Sequence, residues 1–318
     1  MSVFNFECEV QEATWLVEPI IPLGQLCVNL AQAGVGKSLL VESLAVHVVC
    51  GVPFCGFKTA EGDVLLIDQD TPQNVLYKRL IQMAIGLGLP KKHELFLESM
   101  NGYNMSNGTL VKAIRSHPSA KLIIIDCLHT VCGQYNPNYT SDMTHWANIK
   151  QTCLNEENTI LLNHHITQKG TYTIDDLMQG ETSHLAMGSS AIIQQADTYY
   201  VIGATATEGK AERIYVRPVS KRISIPSKPL ILRMLQTESH GEKLEYEGYY
   251  EPELENTEQD LMMLFREQPK ERTVKETYED MGHRYGEKAI RQGLASLEQK
   301  GMMLMSRHKA NLFTYRLP

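Results

Sequence analysis

Leu26-Cys27-Val28-Asn29-Leu30-Ala31-Gln32-Ala33-Gly34-Val35-Gly36-Lys37-Ser38-Leu39-Leu40-Val41 places an apolar run, a glycine-bearing turn and the start of a helical pattern in direct succession. Its middle, Ala31 to Ser38, fits the Walker A pattern with Ala31 in the place of the first glycine, and the strand-turn-helix setting gives that pattern meaning. Gly34 and Gly36 let the backbone curl so that successive N–H groups point inward at phosphate oxygens, and the following helix adds the positive end of its dipole. The candidate phosphate-binding residues are therefore Ala33, Gly34, Val35, Gly36, Lys37, Ser38 and Leu39. Lys37 is expected to neutralise the β and γ phosphates of ATP, and Ser38 to offer its hydroxyl to Mg²⁺.

Such a site needs a second half, an apolar strand ending in an acid. Leu122-Ile123-Ile124-Ile125-Asp126 supplies it, and Ser38 with Asp126 is the expected Mg²⁺ pair. From Leu26 to about Leu232 short apolar runs alternate with helical ones, which predicts an α/β fold with a largely parallel sheet. The predicted core strands are Leu26 to Leu30, Val64 to Asp68, Leu122 to Asp126, Thr159 to Asn163 and Thr198 to Ile202. One helix is expected from Ser38 to Cys50, ended by Gly51, and another to start with Thr71 as N-cap and Pro72 at its first position.

The bulk properties narrow the class. With 318 residues, 43% of them apolar and 21% charged, the chain can bury one sizeable core and a second small one. A net charge of −7 excludes a chain that binds nucleic acid through overall basicity, so any such contact must be local. The opening residues lack the basic and apolar regions of a signal peptide, and no apolar stretch is long enough to span a membrane, so a cytoplasmic protein is expected. Seven cysteines, an odd number lying mostly in apolar runs without zinc-type spacing, read as buried free thiols.

The order of several shorter segments carries a resemblance. Trp15 to Gly24, Gly51-Val52-Pro53-Phe54-Cys55-Gly56-Phe57, Ile67-Asp68-Gln69-Asp70-Thr71-Pro72, His164-His165 with Lys169, and Gly188-Ser189-Ser190 ahead of Ala196-Asp197 succeed one another as in RecA-like ATPases. Within them the chain resembles the group of plasmid RepA-type hexameric helicases, over roughly residues 14 to 235. The resemblance implies a RecA-like sheet flanked by helices and a homo-oligomer, either ring or filament. It assigns Asp70 to polarising the attacking water, a position usually held by Glu, so slow hydrolysis is a live outcome. Asp68 beside it is read as a solvated strand-end residue. The resemblance also makes His165, with His164 as the alternative, a sensor of the γ-phosphate. Arg222, with Arg217 and Lys221 as alternatives, is implied as the cation reaching a neighbouring subunit's phosphates. Two loops that would face DNA carry Tyr135, Tyr139 and Tyr172, but Asp175, Asp176 and Glu181 make the second one acidic.

Composition changes near residue 250. Residues 256 to 318 hold 11 Lys and Arg against 9 Asp and Glu, while the first 255 hold 19 against 28. A RecA-like ATPase domain is expected over residues 1–250, a linker over 251–258, and a small domain over 259–318. The last reads as helix, short helix, longer helix and β-hairpin, and it resembles a winged helix-turn-helix. Lys288, Arg291 and Gln292 would then reach DNA from the third helix, with Arg307 and Lys309 on phosphate. Two functions fit these readings: a DNA motor of the RepA-helicase kind in replication or repair of a mobile element, or a nucleotide-switched DNA-binding regulator. Asp70 and the acidic loop favour the second; the ordered motifs and the basic strand end favour the first.

Overall fold

The computed structural model describes residues 13–88, 92–136, 139–143, 145–166, 172–180, 185–186, 191–207, 210–226, 228–238, 241–252, 254, 256–281, 284–308 and 312–318. Residue contacts divide the chain into two compact units, one of residues 1–174 and 182–250, the other of residues 175–181 and 251–318. Among the described residues no helix is long and apolar enough to cross a membrane.

The large unit opens with a short hairpin, β1 (Trp15–Val17) and β2 (Ile21–Pro22). Next come β3 (Leu26–Ala31), α1 (Lys37–Cys50), β4 (Asp63–Asp68), α2 (Gln73–Leu87) and β5 (Leu95–Ser99). After them stand α3 (Thr109–Arg115), β6 (Ala120–Asp126), α4 (Leu128–Val131), α5 (Thr140–Met143), α6 (His145–Cys153) and β7 (Thr159–His165). In chain order α7 (Ile174–Gln179) comes next, and then α8 (Ala191–Gln195) and the strands β8 (Thr198–Thr207), β9 (Lys210–Ser220), β10 (Leu230–Gln236) and β11 (Glu242–Tyr249). Among the described residues nine strands form one sheet in the order β11-β10-β9-β8-β3-β7-β6-β4-β5. From β8 to β5 the neighbours run parallel, and β9, β10 and β11 extend the sheet as an antiparallel meander.

This is the expected α/β architecture, a RecA-like and mostly parallel sheet flanked by helices. The five predicted core strands are all present, and β5 and the meander enlarge the sheet beyond them. Strands β3, β4, β6 and β7 are buried on both faces, which is why their sequences are largely continuous apolar runs rather than alternating, whereas the edge strand β5 is half-buried. On one face Cys27, Val64, Leu66, Leu122 and Leu161 pack with Val41, Leu44 and Val48 of α1. The alternate residues Val28, Leu65, Ile67, Ile123 and Ile125 are equally buried, as the pleat requires of a sheet covered on both sides. Helix α1 ends where expected, because Gly51 adopts φ 63° and its N–H returns to the carbonyls of His47 and Val48. Helix α2 starts one residue later than expected: Pro72 is its N-cap, and Thr71 is drawn into the preceding turn instead. The described cysteines are free and buried.

The second unit gathers α7 with α9 (Asn256–Glu267), β12 (Arg272–Thr273), α10 (Val274–Asp280), α11 (Glu287–Gln299), β13 (Leu304–Arg307) and β14 (Phe313–Arg316). The three strands pair in the order β12-β14-β13. Leu261, Phe265, Ile290, Leu294, Leu297, Met303 and Tyr315 form its core, at the spacing one helical face requires. Thr273 caps α10 reciprocally with Glu276. Helix α9 begins at Asn256, inside the stretch read as a linker, and its Glu258 is buried against Lys300 at 2.9 Å.

Candidate active site

The parallel strands end together, so the turns leaving them share one edge of the sheet. Register pairs Ala31 of β3 with His165 of β7, and Asp68 of β4 with Asp126 of β6. In open α/β sheets this carboxyl edge is where ligands bind.

The turn after β3 is built on two glycines. Gly34 has φ 78° and Gly36 has φ 89°, both in the left-handed region that side chains disfavour. A Cβ on Gly36 would also come within 3.1 Å of the Ile214 side chain. Gly36 is the N-cap of α1 and supplies no side-chain cap, so the first-turn amides of the helix are left for a ligand. Lys37 starts the helix and is buried, with Nζ 3.4 Å from the Gln32 carbonyl and 3.4 Å from Nδ1 of His165. Burial lowers the Lys37 ammonium pKa, and Asp126, Cys127 and Asp70 oppose that.

Asp126 is also buried, and burial raises its carboxyl pKa against the opposing influence of the Ser38 hydroxyl and the Lys37 ammonium. Asn163 is fully buried and accepts from the Asn29 amide at 2.9 Å. This amide pair ties β3 to β7 inside the sheet. The peptide bond after Asp126 is cis.

The reading of Asp68 as a solvated strand-end residue is corrected here. Asp68 is 1% exposed, and its Oδ1 accepts the backbone N–H groups of Asp70 and Thr71, both at 2.8 Å. Two charge-assisted bonds to one oxygen fix the turn and hold Asp70 above the sheet edge. Gln69 secures the same turn, donating its N–H to the Asp126 carbonyl at 2.9 Å and accepting the Tyr103 N–H at 3.1 Å. Asp70 itself is exposed, and the Cys127 thiol donates to its Oδ2 at 3.4 Å.

Of the two histidines the fold brings His165 to Lys37, while His164 is 1% exposed on the opposite face of the strand. Burial and the Lys37 charge lower the pKa of His165. The basic strand end lies elsewhere. Thr198 pairs with Ser220 while Ile202 pairs with Ala31, so Lys221 and Arg222 sit at the end of the sheet away from the phosphate loop. Arg222 Nε donates to Asp197 Oδ1 at 3.0 Å, and Lys221 donates to the carbonyls of Ile193 and Ala196. Arg217 is half-buried within β9.

Tyr135 stacks on His145 with centroids 4.1 Å apart, and Tyr139 is 60% exposed. Lys169, Glu181 and Gly188 to Ser190 lie outside the described residues. In the second unit Lys288, Arg291 and Gln292 are exposed on α11, with Arg291 3.2 Å from Glu287. Arg307 lies over the Phe313 ring, and Lys309 is outside the described residues.

Sequence reading missed Asp68, Asn29 and Asn163 as parts of the site. The two asparagines carried a signal, each a lone amide in an otherwise apolar strand that must be buried. Comparison with known proteins agrees with this geometry. A family model described as an AAA domain matches residues 2–171, a little over half of the chain. Among curated proteins no relative matches it. The chain belongs to the AAA-domain family and has the P-loop ATPase fold.

Proposed function

We propose that this P-loop ATPase is an oligomeric RecA-like motor that uses ATP and Mg²⁺ and acts on DNA, in the manner of the RepA-type helicases its motif order resembles. The observation that carries the proposal is the convergence of Lys37, Ser38, Asp70, Asp126 and His165 on one edge of the sheet. The amides from Ala33 to Leu39 and the Lys37 ammonium bind the phosphates. Ser38 and Asp126 are hard oxygen donors of the kind Mg²⁺ takes, so they are the residues that would hold it. Bound there, Mg²⁺ would offset charge on the phosphates.

Asp70 is the base that takes the proton of the attacking water. Its place depends on Asp68, which holds its backbone, and on the Cys127 thiol at its carboxylate. His165 is the sensor. With Lys37 charged and donating to Nδ1, the neutral ring keeps its proton on Nε2, and that N–H is available to a phosphate oxygen. Arg222 and Lys221 stand at the other end of the sheet, so a role on phosphate requires a second copy of the chain.

The second unit, read as a winged helix over residues 259–318, is the proposed DNA anchor, with Lys288, Arg291 and Gln292 in the major groove and Arg307 and Lys309 on phosphate. The nucleotide-switched regulator remains a second reading, because Asp175 and Asp176 open α7 after the sensor strand. A strand-displacement assay, run beside ATP turnover with and without single-stranded DNA, separates the two. Unwinding with DNA-stimulated turnover is expected of the motor. Turnover indifferent to DNA, with no unwinding, supports the regulator and rejects the motor.

A further inference from the structure

Asp197, the residue before β8, lies at the amino end of the parallel strands and is only 5% exposed. The chemistry above gives it no part. Its backbone is pinned on both sides, for its N–H donates to the Leu26 carbonyl and its own carbonyl accepts the Lys221 N–H, both at 2.9 Å. Its side chain is just as fully engaged. Oδ2 accepts the Leu26 N–H at 3.1 Å, and Oδ1 accepts from Lys150 Nζ and, at 3.0 Å, from Arg222 Nε.

Lys150, Lys221 and Arg222 thus gather around one buried acid, but they are not equivalent. Lys150 also reaches the Gln195 carbonyl at 3.5 Å. Lys221 donates to the carbonyls of Ile193 and Ala196, at and just past the end of α8, and so closes that helix. Arg222 differs. Its side chain is 68% exposed, and Nε is the one guanidinium nitrogen bonded among the described residues. Lys150 and the Leu26 N–H already compensate the carboxylate, so neutralising Asp197 does not require a second cation. What the contact supplies is direction. The guanidinium is a rigid planar fork, so a bond at Nε fixes where both Nη groups point.

We propose that Asp197 is the positioning residue for Arg222, holding Nε so that both Nη groups meet phosphate oxygens on a second copy of the chain. The inference rests on the oligomeric reading above, in which such a cation completes a neighbour's site. Paired N–H donors match phosphate oxygens bidentately, and they stabilise a transferring phosphoryl group most when they are held still beforehand. Lys221 is engaged at α8 and Arg217 is half-buried within β9, which leaves Arg222 for this role.

Asp197 also holds the start of β3, whose far end carries the phosphate loop of the same chain. A purely structural role would therefore damage the variant's own site, whereas positioning Arg222 serves its neighbour's. Co-expressed pairs of full-length variants separate the two. Arg222→Ala is expected to lower ATP turnover about a thousandfold and Asp197→Asn about a hundredfold, the scales of a lost arginine on a transferring phosphoryl group and of a misplaced reacting group. Lys37→Ala, which keeps Arg222 in place, should restore part of the turnover when paired with either one. Asp197→Asn paired with Arg222→Ala should restore none. Rescue of Asp197→Asn by Arg222→Ala, or its failure to be rescued by Lys37→Ala when Arg222→Ala is, would overturn the positioning role and leave Asp197 acting on its own β3. Should Asp197→Asn not fold, Arg222→Lys at the exposed position keeps the charge without the fork. It is expected to lose about a hundredfold, and parental turnover in it would overturn the role equally. Parental turnover in Arg222→Ala, or a chain that sediments as a monomer with ATP and Mg²⁺, would instead reject the reading on which the inference rests.

Discussion

Arg272 in the C-terminal unit and Glu42 in the large unit are both withdrawn from water, yet one is fully paired and the other is not. Glu42, on α1, accepts from Arg79 Nη1 on α2 through Oε1 at 2.9 Å, and its Oε2 has no partner among the described residues. The Arg272 guanidinium is fully buried and donates to Asp280 at 2.8 Å, to the Gln268 carbonyl at 2.7 Å and to Gln268 Oε1 at 3.1 Å. It also lies over the Phe265 ring, 5.0 Å from its centroid. Three acids of that unit follow suit, for hydrogen bonds hold the carboxyls of Glu271, Glu276 and Asp280 below their ordinary range. Around the phosphate loop and sheet edge of the large unit the direction reverses. Burial raises Glu42, Asp68 and Asp126 and lowers Lys37 and His165, each shift disfavouring the charged form. Charge in the small unit is therefore structural, whereas charge at the sheet edge is under-compensated until an ionic ligand arrives.

Four experiments put this contrast at risk. The largest effect is expected from Lys37→Ala, which should lower ATP turnover by about a thousandfold in a folded chain, as removing a positioned charge from a transferring phosphoryl group does. Parental turnover in that variant would refute the site. Asp70→Asn comes next. It should retain ATP binding and lose about a hundredfold in single-turnover hydrolysis, the range of general-base catalysis. An unchanged rate would remove Asp70 from the mechanism.

Arg272→Ala addresses the other side. Removing a buried, fully paired cation should destabilise the C-terminal unit by about 3 kcal/mol, read as lost hydrogen-exchange protection in α9 and α11. ATP turnover should survive. If protection is unaltered, the buried guanidinium is not the staple described above.

The smallest effects lie in the pH dependence of melting, and they differ in sign between the units. The folded Glu42 carboxyl, at about 7, holds a proton that the unfolded chain, near 4.5, has released, so its contribution falls as pH rises through that interval. Glu42→Gln should flatten the decline. Asp280, held low by Arg272, contributes above its unfolded value and loses that contribution as the pH drops through its folded one. Asp280→Asn should reduce the loss on the acid side. Identical pH profiles for the parent and both variants would erase the contrast.

The parts of the site legible in the sequence were those whose chemistry is local. Gly34, Gly36, Lys37 and Ser38 sit together because consecutive residues make one turn and one helix start, and the apolar strand ending at Asp126 announces itself. Asp68 was misread because a carboxylate at a strand end looks solvated until the turn folds back over it. Arg79 and Glu42 lie 37 positions apart on different helices, and no periodicity links them. The meander was hidden for another reason. Strands β9 to β11 are half-exposed and rich in charged residues, so they lack the continuous apolar signature of the parallel strands. In the C-terminal unit the third helix and the hairpin were legible from spacing, while the two-residue β12 is defined only by its partner β14.

The position of β3 in the sheet bears on how the chain is made. Its two neighbours are β7 and β8, with Asn29 meeting Asn163 across 134 positions and the Leu26 N–H meeting Asp197 across 171. Strands β8 to β11, by contrast, pair only with sequence neighbours within the meander apart from the β8 contact to β3. Contacts between sequence neighbours close small loops and form early, whereas β3 has to wait for distant partners. On the ribosome, where synthesis runs from the amino terminus, the apolar Leu26–Ala31 segment and the glycine loop behind it emerge long before either neighbour exists. Stalled nascent chains that end before Thr159 should leave this segment open to protease, and chains extended past Thr207 should close it. The strand that carries the phosphate loop is thus synthesised well before the two strands that come to shelter it.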